Sequence, residues 1–424
     1  MKKKIMKIIN SIPIADTHEH LLEEENRLIT KDQVDFSMLF CEYLDSDLIV
    51  AGMPIEDIEI LKDKNQQIDL KWKKLRPFWK KVQNTGYGLV IRETLQILFD
   101  EENINDSNWQ KINNQLINQI QPGYYRKILF NKCNIDHCQV NALDQDLYRD
   151  TNMKDFFLMD LCISKLCSDF DVEIFNKILN KELSSIDNCI DVIDNTFNKY
   201  GNQSIAIKNQ SAYRRNLDYK RWSIEEVENS FDHCKKNNWQ VTKQELKPIE
   251  DFLFHYTVDK AEDYGLPYKM HTGYHSGYGT MPLHNIRHNA GDMSILCSEH
   301  PKANFVFMHI TYPYQNEVLA LAKHYPNAYI DMCWSWMVNP LAAKNFLKEF
   351  LVSVPSNKIF LFGGDVSLVE LVPGHLEIAK KGIAQAISEL ISERWLSKND
   401  IEELLYTLIN QNAYDLFPIT KLIK

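Results

Sequence analysis

The stretch IPIADTHEH, residues 12–20, is typical of a short strand and ends in two histidines one residue apart. In an extended segment, side chains two residues apart share a face, so His18 and His20 are expected to point in the same direction. Two imidazoles on one face supply half of a typical divalent-metal site. Because a lone His-X-His pair is common without metal, this hypothesis depends on what the rest of the chain places beside it.

Strand-like and helix-like segments alternate along the chain, most clearly in its second half. Such alternation is typical of parallel strands connected by helices that cover the sheet. The residues predict eight strands, at 12–15, 135–143, 156–163, 204–208, 266–272, 304–309, 328–333 and 358–362. Helices are predicted at 223–236, 314–324 and 340–352, and from residue 371 almost to the end. The fold class is therefore predicted to be α/β, a (β/α)8 TIM barrel.

The segment 35–128, which follows the first predicted strand, is helical in pattern, rich in aromatic residues and without a convincing strand. We interpret it as a long helical insertion. Its Trp72, Phe78, Trp79 and Trp109 are more typical of core packing than of substrate binding. No internal repeat and no linker rich in Pro, Gly or Ser marks a second domain, so the sequence predicts one elaborated domain over residues 1–424.

In a TIM barrel the functional side chains lie at the carboxyl ends of the strands. Polar residues stand at that point of four further predicted strands: Lys208, His271, His309 and Asp365. Each alone has an ordinary explanation, such as a core histidine, a salt-bridge lysine or a turn aspartate. Independent structural roles at five strand ends are harder to sustain than one shared role. We therefore predict a metal site.

The order His-X-His, Lys, His, His, Asp across strands one, four, five, six and eight resembles the amidohydrolase superfamily of metal-dependent hydrolases. The block Thr17-His18-Glu19-His20 is similar to the opening motif of its phosphotriesterase-like branch. The long separation between His20 and Lys208, with its Trp-rich insertion, is closer to the amidohydrolase-2 and uronate isomerase-like branches. The resemblance covers strand one and most of the chain from about residue 190 onward.

The resemblance implies roles for these residues. His18, His20 and Asp365 match ligands of the first metal, and His271 matches the ligand from strand five. In the members that this chain resembles, a ligand-shell aspartate accepts the proton of the attacking water and delivers it to the leaving group, which is the role implied for Asp365. Zinc is the expected ion for a histidine-rich site with a carboxylate, with manganese, iron or nickel as alternatives.

Two further positions bear on the number of ions. Lys208 matches the position of a carboxylated lysine in binuclear members. Uronate isomerases lack this lysine. His309 matches either a second-metal ligand or, in mononuclear members, a catalytic imidazole beside the metal. The residues leave open whether Lys208 is carboxylated and whether one or two ions bind. The resemblance makes Asp365, His309 and Lys208 the catalytic candidates.

Loops after the strands carry the candidates for substrate contact. Arg side chains grip carboxylates and phosphates in two-pronged fashion, and a glycine-containing loop can approach a ligand closely. A solvated helix start, a surface histidine and core packing are the structural alternatives. The candidates are Tyr213, Arg214 and Arg215 after strand four, Tyr274 and His275 after strand five, and Trp334 after strand seven.

These features favour a metal-dependent hydrolase whose metal-activated water attacks a C–N or C–O bond of a small polar or anionic molecule. A uronate isomerase-like sugar-acid isomerase, or a decarboxylase, using the same metal site is the alternative. Arg214 and Arg215 suit an acidic substrate under either hypothesis, so they do not discriminate. A catalytically silent barrel used for binding is a third interpretation, which the metal-competent residues at all six motif positions disfavour.

The amino-acid composition limits the classes of binding partner and the cellular compartment that we expect. The 424 residues include 58 acidic and 48 basic side chains, and this net charge of −10 argues against nucleic acid because phosphate binding needs a basic face. Nine cysteines, an odd number without a Cys-X-X-Cys pair, are typical of reduced thiols. No apolar stretch is long enough to span a membrane, and the N-terminal run fails as a signal peptide. We expect a cytoplasmic enzyme of small molecules, with a homo-oligomer among the open alternatives.

Overall fold

The structure is a computed structural model that describes residues 1–278 and 283–423. Its strands, in chain order, are β1 (Ile14–Glu19), β2 (Ile135–Val140), β3 (Phe157–Met159), β4 (Leu161–Cys162), β5 (Ile207–Asn209), β6 (Tyr268–Met270), β7 (Phe305–Met308), β8 (Ala328–Asp331) and β9 (Ile359–Phe360). Every one of the eight predicted positions contains a strand. The third is divided at Asp160, whose buried carboxylate accepts hydrogen bonds from Lys269 Nζ at 2.9 and 3.1 Å.

Helices fill most of the remaining chain. The α-helices are α1 (Lys2–Ser11), α2 (Glu24–Ile29), α3 (Leu44–Val50), α4 (Ile55–Lys62), α5 (Ile68–Val82), α6 (Gly86–Phe99), α7 (Trp109–Gln119), α8 (Ser164–Cys167), α9 (Val172–Leu179), α10 (Ile186–Tyr200), α11 (Ile224–Lys236), α12 (Lys243–Tyr264), α13 (Asn289–Glu299), α14 (Gln315–His324), α15 (Ser335–Val338), α16 (Pro340–Ser353), α17 (Val372–Ser392), α18 (Ile401–Tyr406), α19 (Asn412–Leu416) and α20 (Ile419–Leu422). Shorter 3-10 turns and two π-helical segments, Arg126–Lys132 and Thr407–Gln411, connect them. Of the helices described, none is long and apolar enough to cross a membrane.

The predicted helices lie where their capping signals place them. α11 begins after Ser223, whose hydroxyl accepts a hydrogen bond from the Glu226 backbone N–H at 3.3 Å. The Glu226 carboxylate in turn accepts from the Ser223 backbone N–H at 2.9 Å, which completes a capping box. α14 and α16 correspond to the predicted helices at 314–324 and 340–352. Local sequence signals therefore determine these boundaries.

The chain divides into two compact units. The described residues of unit 1 are 1–138, 275–278 and 332–412, and those of unit 2 are 139–274, 283–331 and 413–423. Each unit is discontinuous in sequence, because the chain passes between them several times. The prediction of a single domain over the whole chain stays a prediction.

In unit 2, strands β4 to β8 pair in sequence order, each parallel to the next. The register places Lys208 of β5 beside Lys269 of β6, and Met270 beside Phe307 of β7. All residues of β5, β6 and β7 are buried, as expected for parallel strands covered on both faces. The carboxyl ends of β6 and β7 lead directly into His271 and His309, which places the two histidines at the same edge of this sheet.

In unit 1, β1 is the central strand of the candidate site. The backbone N–H of Ile14 donates to Asn134 O at 2.9 Å, and that of Thr17 donates to Phe362 O at 3.1 Å. β1 thus lies between the segment that enters β2 and the segment that leaves β9. Every residue of β1 is buried, including the acidic residues that alternate with the histidines.

The helical insertion of unit 1 is built on aromatic packing. The ring of Trp72 stacks on that of Trp109 with centroids 6.2 Å apart, and Phe36 packs against both. Trp79 is also buried, and the Trp72 indole N–H donates to Asp106 Oδ1 at 2.7 Å. Core packing is therefore confirmed for these tryptophans. Between β1 and β2, where every residue is described, the chain forms no strand, as predicted.

Candidate metal centre

Three predicted ligands of unit 1 converge on one point. The Nε2 atoms of His18 and His20 lie 3.3 and 3.1 Å from the same oxygen, Asp365 Oδ1. All three side chains are buried, and the two imidazole rings meet edge to face with centroids 4.7 Å apart. Two nitrogen donors and one carboxylate oxygen, all within 4.8 Å of one another, are a donor set that suits a divalent transition metal.

The backbone around Asp365 leaves no room for side chains in the two preceding residues. A Cβ atom on Gly363 would lie 2.5 Å from the Cβ of Cys333, and one on Gly364 would lie 2.0 Å from Glu19 Oε1. Asp365 itself adopts a left-handed conformation with φ of 53°, and its N–H donates to the His18 carbonyl at 2.8 Å. The two glycines thus allow this segment to approach β1 closely enough for Asp365 to meet both histidines.

Two carboxyl groups of this region have opposite electrostatic environments. Burial alone would raise the pKa of Asp365, but the charges and hydrogen bonds of His18 and His20 hold it well below its usual range. Burial, and then the neighbouring Asp16 carboxyl, raise the pKa of Glu19 well above its ordinary value, although the Val366 N–H donates to Glu19 Oε2 at 2.9 Å. An ionised carboxylate therefore faces the imidazoles, and the Glu19 carboxyl beside it favours its protonated form.

The helical insertion contributes an aromatic cluster that reaches Asp365. The Tyr43 hydroxyl donates to the main-chain carbonyl of Asp365. The Tyr43 ring stacks on Tyr87 at 5.5 Å and lies 5.2 Å from Trp334, a residue predicted to contact substrate or pack in the core. Trp334 is 1% exposed, so its ring acts here as packing around Tyr43.

A cavity of about 510 Å³ in unit 1 extends from Tyr43. Beside it, the carboxylate of Glu42 accepts a hydrogen bond from the Ser367 N–H at 2.8 Å, and Lys62 pairs with Asp45 at 2.8 Å. A polar cavity of this size admits a small molecule. Its lining residues are Cys41, Glu42, Tyr43, Asp45, Lys62, Ser276, Gly277 and Tyr278.

The strand-end residues of unit 2 form a second cluster. His309 Nε2 and His271 Nδ1 are 3.0 Å apart, and His271 Nε2 is 3.1 Å from the carbonyl oxygen of Tyr274. That carbonyl only accepts, so in neutral His271 the proton lies on Nε2 and His309 donates to Nδ1. The Tyr213 ring packs on His271 at 4.4 Å, and Lys208 Nζ lies 3.0 Å from the sulfur of Met308. Unit 2 therefore brings its three predicted ligands to neighbouring strand ends.

His309 begins an unusual backbone segment. His309, Ile310 and Thr311 have φ values of 62°, 49° and 54°, a left-handed run that is costly for β-branched residues. Gly273 packs against it, since a Cβ there would lie 2.5 Å from the Thr311 carbonyl carbon, and the hydroxyls of Thr272 and Thr311 are 3.0 Å apart. Such conformations persist only where the surroundings enforce them, and they concentrate at functional sites.

The predicted arginines are engaged with carboxylates of unit 2. The buried guanidinium of Arg215 donates to Glu250 at 2.9 Å and to Asp251, and it lies 4.3 Å from the centre of the Tyr219 ring. Arg214 is 62% exposed, and its Nε lies 3.6 Å from Asp169 Oδ2. A substrate anion would have to compete with these partners, so substrate contact by either arginine stays a prediction.

The two residues predicted after strand five differ in placement. Tyr274 belongs to unit 2, where its carbonyl accepts from His271 and its ring lies 6.3 Å from that of Tyr312. His275 belongs to unit 1 and is 2% exposed, so it is not a surface histidine. Their roles toward a substrate stay predictions.

Comparisons with known proteins bear on the family. A family model described as Amidohydrolase matches residues 238–418. Protein fluG of Emericella nidulans is 27% identical over 165 residues, which are 37% of this chain and 19% of that protein, so the match covers less than a fifth of the relative.

Solved structures match over nearly the whole chain. A uronate isomerase from Thermotoga maritima has a TM-score of 0.78 at 12% identity, covering 98% of this chain and 97% of that one. A proposed metal-dependent hydrolase from Lactobacillus casei has a TM-score of 0.67 at 15% identity, with 97% and 96% covered. The match to the Amidohydrolase family model supports the family resemblance over residues 238–418, which are less than half of this chain. The likeness to these solved structures confirms the TIM-barrel class. The resemblance of the Thr17-His18-Glu19-His20 block to one branch stays a prediction.

Sequence reasoning missed three residues of this region: Asp16, Glu19 and Tyr43. The signal for the first two was present, because an acidic residue alternating with histidines in a strand buried on both faces must itself be enclosed. Asp16 also lies 3.7 Å from the Cys138 sulfur. Tyr43 had no such signal, since its contact with Asp365 joins residues 322 positions apart.

Proposed function

We propose that this protein is a metal-dependent hydrolase that cleaves a C–N or C–O bond of a small polar molecule. The observation that supports the proposal is the convergence of His18, His20 and Asp365, three buried side chains whose ligand atoms lie within 4.8 Å of one another. Imidazole nitrogens with a carboxylate oxygen suit zinc best, and manganese, iron and nickel are the alternatives. Bound there, such an ion lowers the pKa of a water ligand to about 7 and polarises a substrate carbonyl.

Asp365 is the proposed proton carrier. Its carboxylate is held ionised by the two imidazoles, so it is able to accept the proton of the attacking water and to return it to the leaving group. The Tyr43 hydroxyl holds the main-chain carbonyl of the same residue. The backbone of Asp365 is thereby fixed from the insertion, and its side chain is directed by the histidines of β1.

His271, His309 and Lys208 are proposed to serve the same chemistry. The hydrogen-bonded pair of His271 and His309 offers imidazoles for ligation or for proton transfer. A carboxylated Lys208 that bridges two ions stays a prediction from the family resemblance. A sugar-acid isomerase or a decarboxylase that uses the same residues is the alternative that the assay below must exclude.

The test combines metal content with product analysis on the full chain, purified without chelators or a metal-affinity step. We expect bound divalent metal, its loss in His20→Ala, and its retention in His284→Ala, a change at an exposed histidine. With small amides, esters and lactones we expect release of an amine, alcohol or acid with uptake of water. Aldose–ketose exchange or release of CO2 from a sugar acid, without hydrolysis, would overturn the hydrolase in favour of the alternative. A chain that binds no metal even after reconstitution would overturn the proposal entirely.

A further inference from the structure

Helix α12 of unit 2 ends in a concentration of negative charge. Asp259, Glu262 and Asp263 lie in its final turns, and Gly265 caps it in a left-handed conformation. The carboxyl end of a helix carries a partial negative charge and favours cations, yet this fully described helix has no basic residue in its last turn. The local charge pattern is therefore the reverse of the one that stabilises a helix end.

A buried histidine faces two of these carboxylates. His300 is 2% exposed, and its Nδ1 lies 3.4 Å from Asp259 Oδ1 and 3.9 Å from Glu262 Oε1. The three ligand atoms all lie within 4.8 Å of one another. Asp259 is 60% exposed, so an ion has access to this point from solvent.

The orientation of the His300 ring is fixed from its other side. His300 Nε2 lies 2.8 Å from His255 Nδ1, and the two rings stack with centroids 5.1 Å apart. His255 is also buried, and among the described residues its Nε2 has no hydrogen-bond partner; Glu299 Oε2 lies 3.9 Å from it. Packing thus holds His300 Nδ1 toward the carboxylates.

The donor groups of the cluster suit a cation. A neutral imidazole is the ligand form of histidine, and a divalent ion would offset the charges of the two neighbouring carboxylates.

We infer that Asp259, Glu262 and His300 form a second binding site for a divalent transition metal of the zinc class, separate from the cluster of His18, His20 and Asp365. Two carboxylate oxygens and one imidazole nitrogen are the three protein ligands, and water completes the shell. To bind the ion, His300 keeps its proton on Nε2 and donates it to His255 Nδ1, and His255 carries its own proton on Nε2 toward Glu299. No proton is gained or lost by the pair.

Arg221 opposes this site. Its guanidinium Nη2 lies 3.2 Å from His300 Nε2, where it donates a hydrogen bond that favours the other tautomer, and its charge repels a cation. Its side chain is 53% exposed, and its Nε lies 3.5 Å from Glu299 Oε2. Removal of Arg221 is therefore expected to strengthen binding.

The consequence of binding is structural. His300 begins the turn that enters β7, and Asn327 Nδ2 donates to the carbonyls of His300 and Ala303 at 2.9 and 3.1 Å. An ion shared by Asp259, Glu262 and His300 would tie the end of α12 to this turn. The turn precedes the strand, and in a TIM barrel the amino ends of the strands serve stability rather than catalysis.

The test is calorimetric titration of Zn2+ into the full chain carrying its resident metal. We expect one further equivalent to bind, and Asp259→Asn or Glu262→Gln to weaken it by more than the roughly 10- to 100-fold that loss of an outer partner costs a metal site. Arg221→Gln should tighten it, and His20→Ala should leave it in place. The matched control is Glu225→Gln with Glu228→Gln, an exposed carboxylate pair at the same spacing on α11, which should bind Zn2+ as the wild type does.

Three results would overturn the inference. The first is a wild type that takes up no Zn2+ beyond its resident metal. The second is equal weakening by the control pair on α11, which would indicate general surface binding. The third is unchanged binding in Asp259→Asn when circular dichroism and unfolding match the wild type. As a second readout, Zn2+ should raise the Tm of the wild type and of His20→Ala, but not that of Glu262→Gln.

Discussion

The two strand-end clusters use the same residue types but are fixed by different means. In unit 1, His18 lies in β1 and His20 directly follows that strand, and both converge on Asp365 Oδ1. In unit 2, His271 and His309 follow different strands and meet each other at 3.0 Å. The first arrangement depends on the two-residue period of a strand, whereas the second depends on a left-handed backbone run. The two-residue period of a strand can be predicted from the sequence, whereas a left-handed backbone run cannot.

The charges of the two units differ as well. In unit 1 the carboxylate of Asp365 faces imidazoles that lower its pKa. In unit 2 several carboxylates face one another, and burial with like charge raises the pKa of Asp292 to about 6 and raises that of Glu262. A carboxylate thus meets two imidazoles at the candidate catalytic residues, while carboxylates lie close to one another where we infer the second ion.

The largest expected effect on activity follows from removing the Asp365 carboxylate, on which His18 and His20 converge. Asp365→Asn keeps the shape of the side chain but removes its ability to accept a proton, so we expect kcat/KM to fall by about 10²- to 10⁴-fold. Circular dichroism and the unfolding midpoint should show a folded chain. Asp400→Asn, at an exposed helix start without a side-chain cap bond, is the control and should keep full activity. Full activity of Asp365→Asn would remove this residue from the mechanism.

The strand positions and the proximity of His18 to His20 were predictable for physical reasons. Buried parallel strands must be apolar runs, so their positions stand out, and the polar residue that ends such a run marks a strand end. At the end of β1 the period of two residues placed His18 and His20 together. The glycines before Asp365 suggested a turn, but the structure shows that they allow a close approach to Cys333 and Glu19.

Contacts between residues distant in sequence were not predictable. Arg215 has the chemistry to grip an anionic substrate, but helix α12 supplies Glu250 and Asp251, which already bind it. The left-handed run at His309 also has no sequence signal, because Ile and Thr are residue types that disfavour it. Tertiary packing determines both the partners of Arg215 and the backbone conformation at His309. Tertiary packing cannot be derived from a single sequence.

The left-handed run from His309 to Thr311 in unit 2 should be disrupted by a single added methyl group at Gly273. Gly273→Ala places a Cβ 2.5 Å from the Thr311 carbonyl carbon at a residue with φ of 71°, so both sterics and backbone strain oppose it. We expect the free energy of unfolding to fall by about 2 to 4 kcal/mol in urea titrations.

Helix α13 offers the matched control. A Cβ on Gly291 would meet no atom of the described residues within 4 Å, so Gly291→Ala should stabilise the protein by about 0.5 to 1 kcal/mol. If Gly273→Ala were as stable as the wild type, the run from His309 to Thr311 would not be enforced by its neighbour. The proposed difference between the units would then lose its structural basis.

The smallest expected effect, on the free energy of unfolding, tests the electrostatic difference between the two units. Asp292 accepts a hydrogen bond from the Leu217 N–H at 3.1 Å, and burial followed by the Asp218 charge raises its pKa to about 6. A carboxyl whose pKa is raised by folding stabilises the folded state below its unfolded pKa of about 4, and that stability is lost as the pH rises through about 6. Asn keeps the acceptor oxygen but carries no charge. Asp292→Asn should therefore match the wild type at pH 4 and exceed it at pH 8.

The expected gain at pH 8 is about 1 to 2 kcal/mol in the free energy of unfolding, reduced from the full electrostatic value because solvent still reaches Asp292. Urea titrations at pH 4 and pH 8 measure it, with the exposed Glu225→Gln as a control that should differ little from the wild type at either pH. A gain that is the same at both pH values would mean that Asp292 does not respond to Asp218 and burial as its surroundings imply. In that case the contrast of charge between the units would hold at Asp365 but fail at the carboxylates of unit 2.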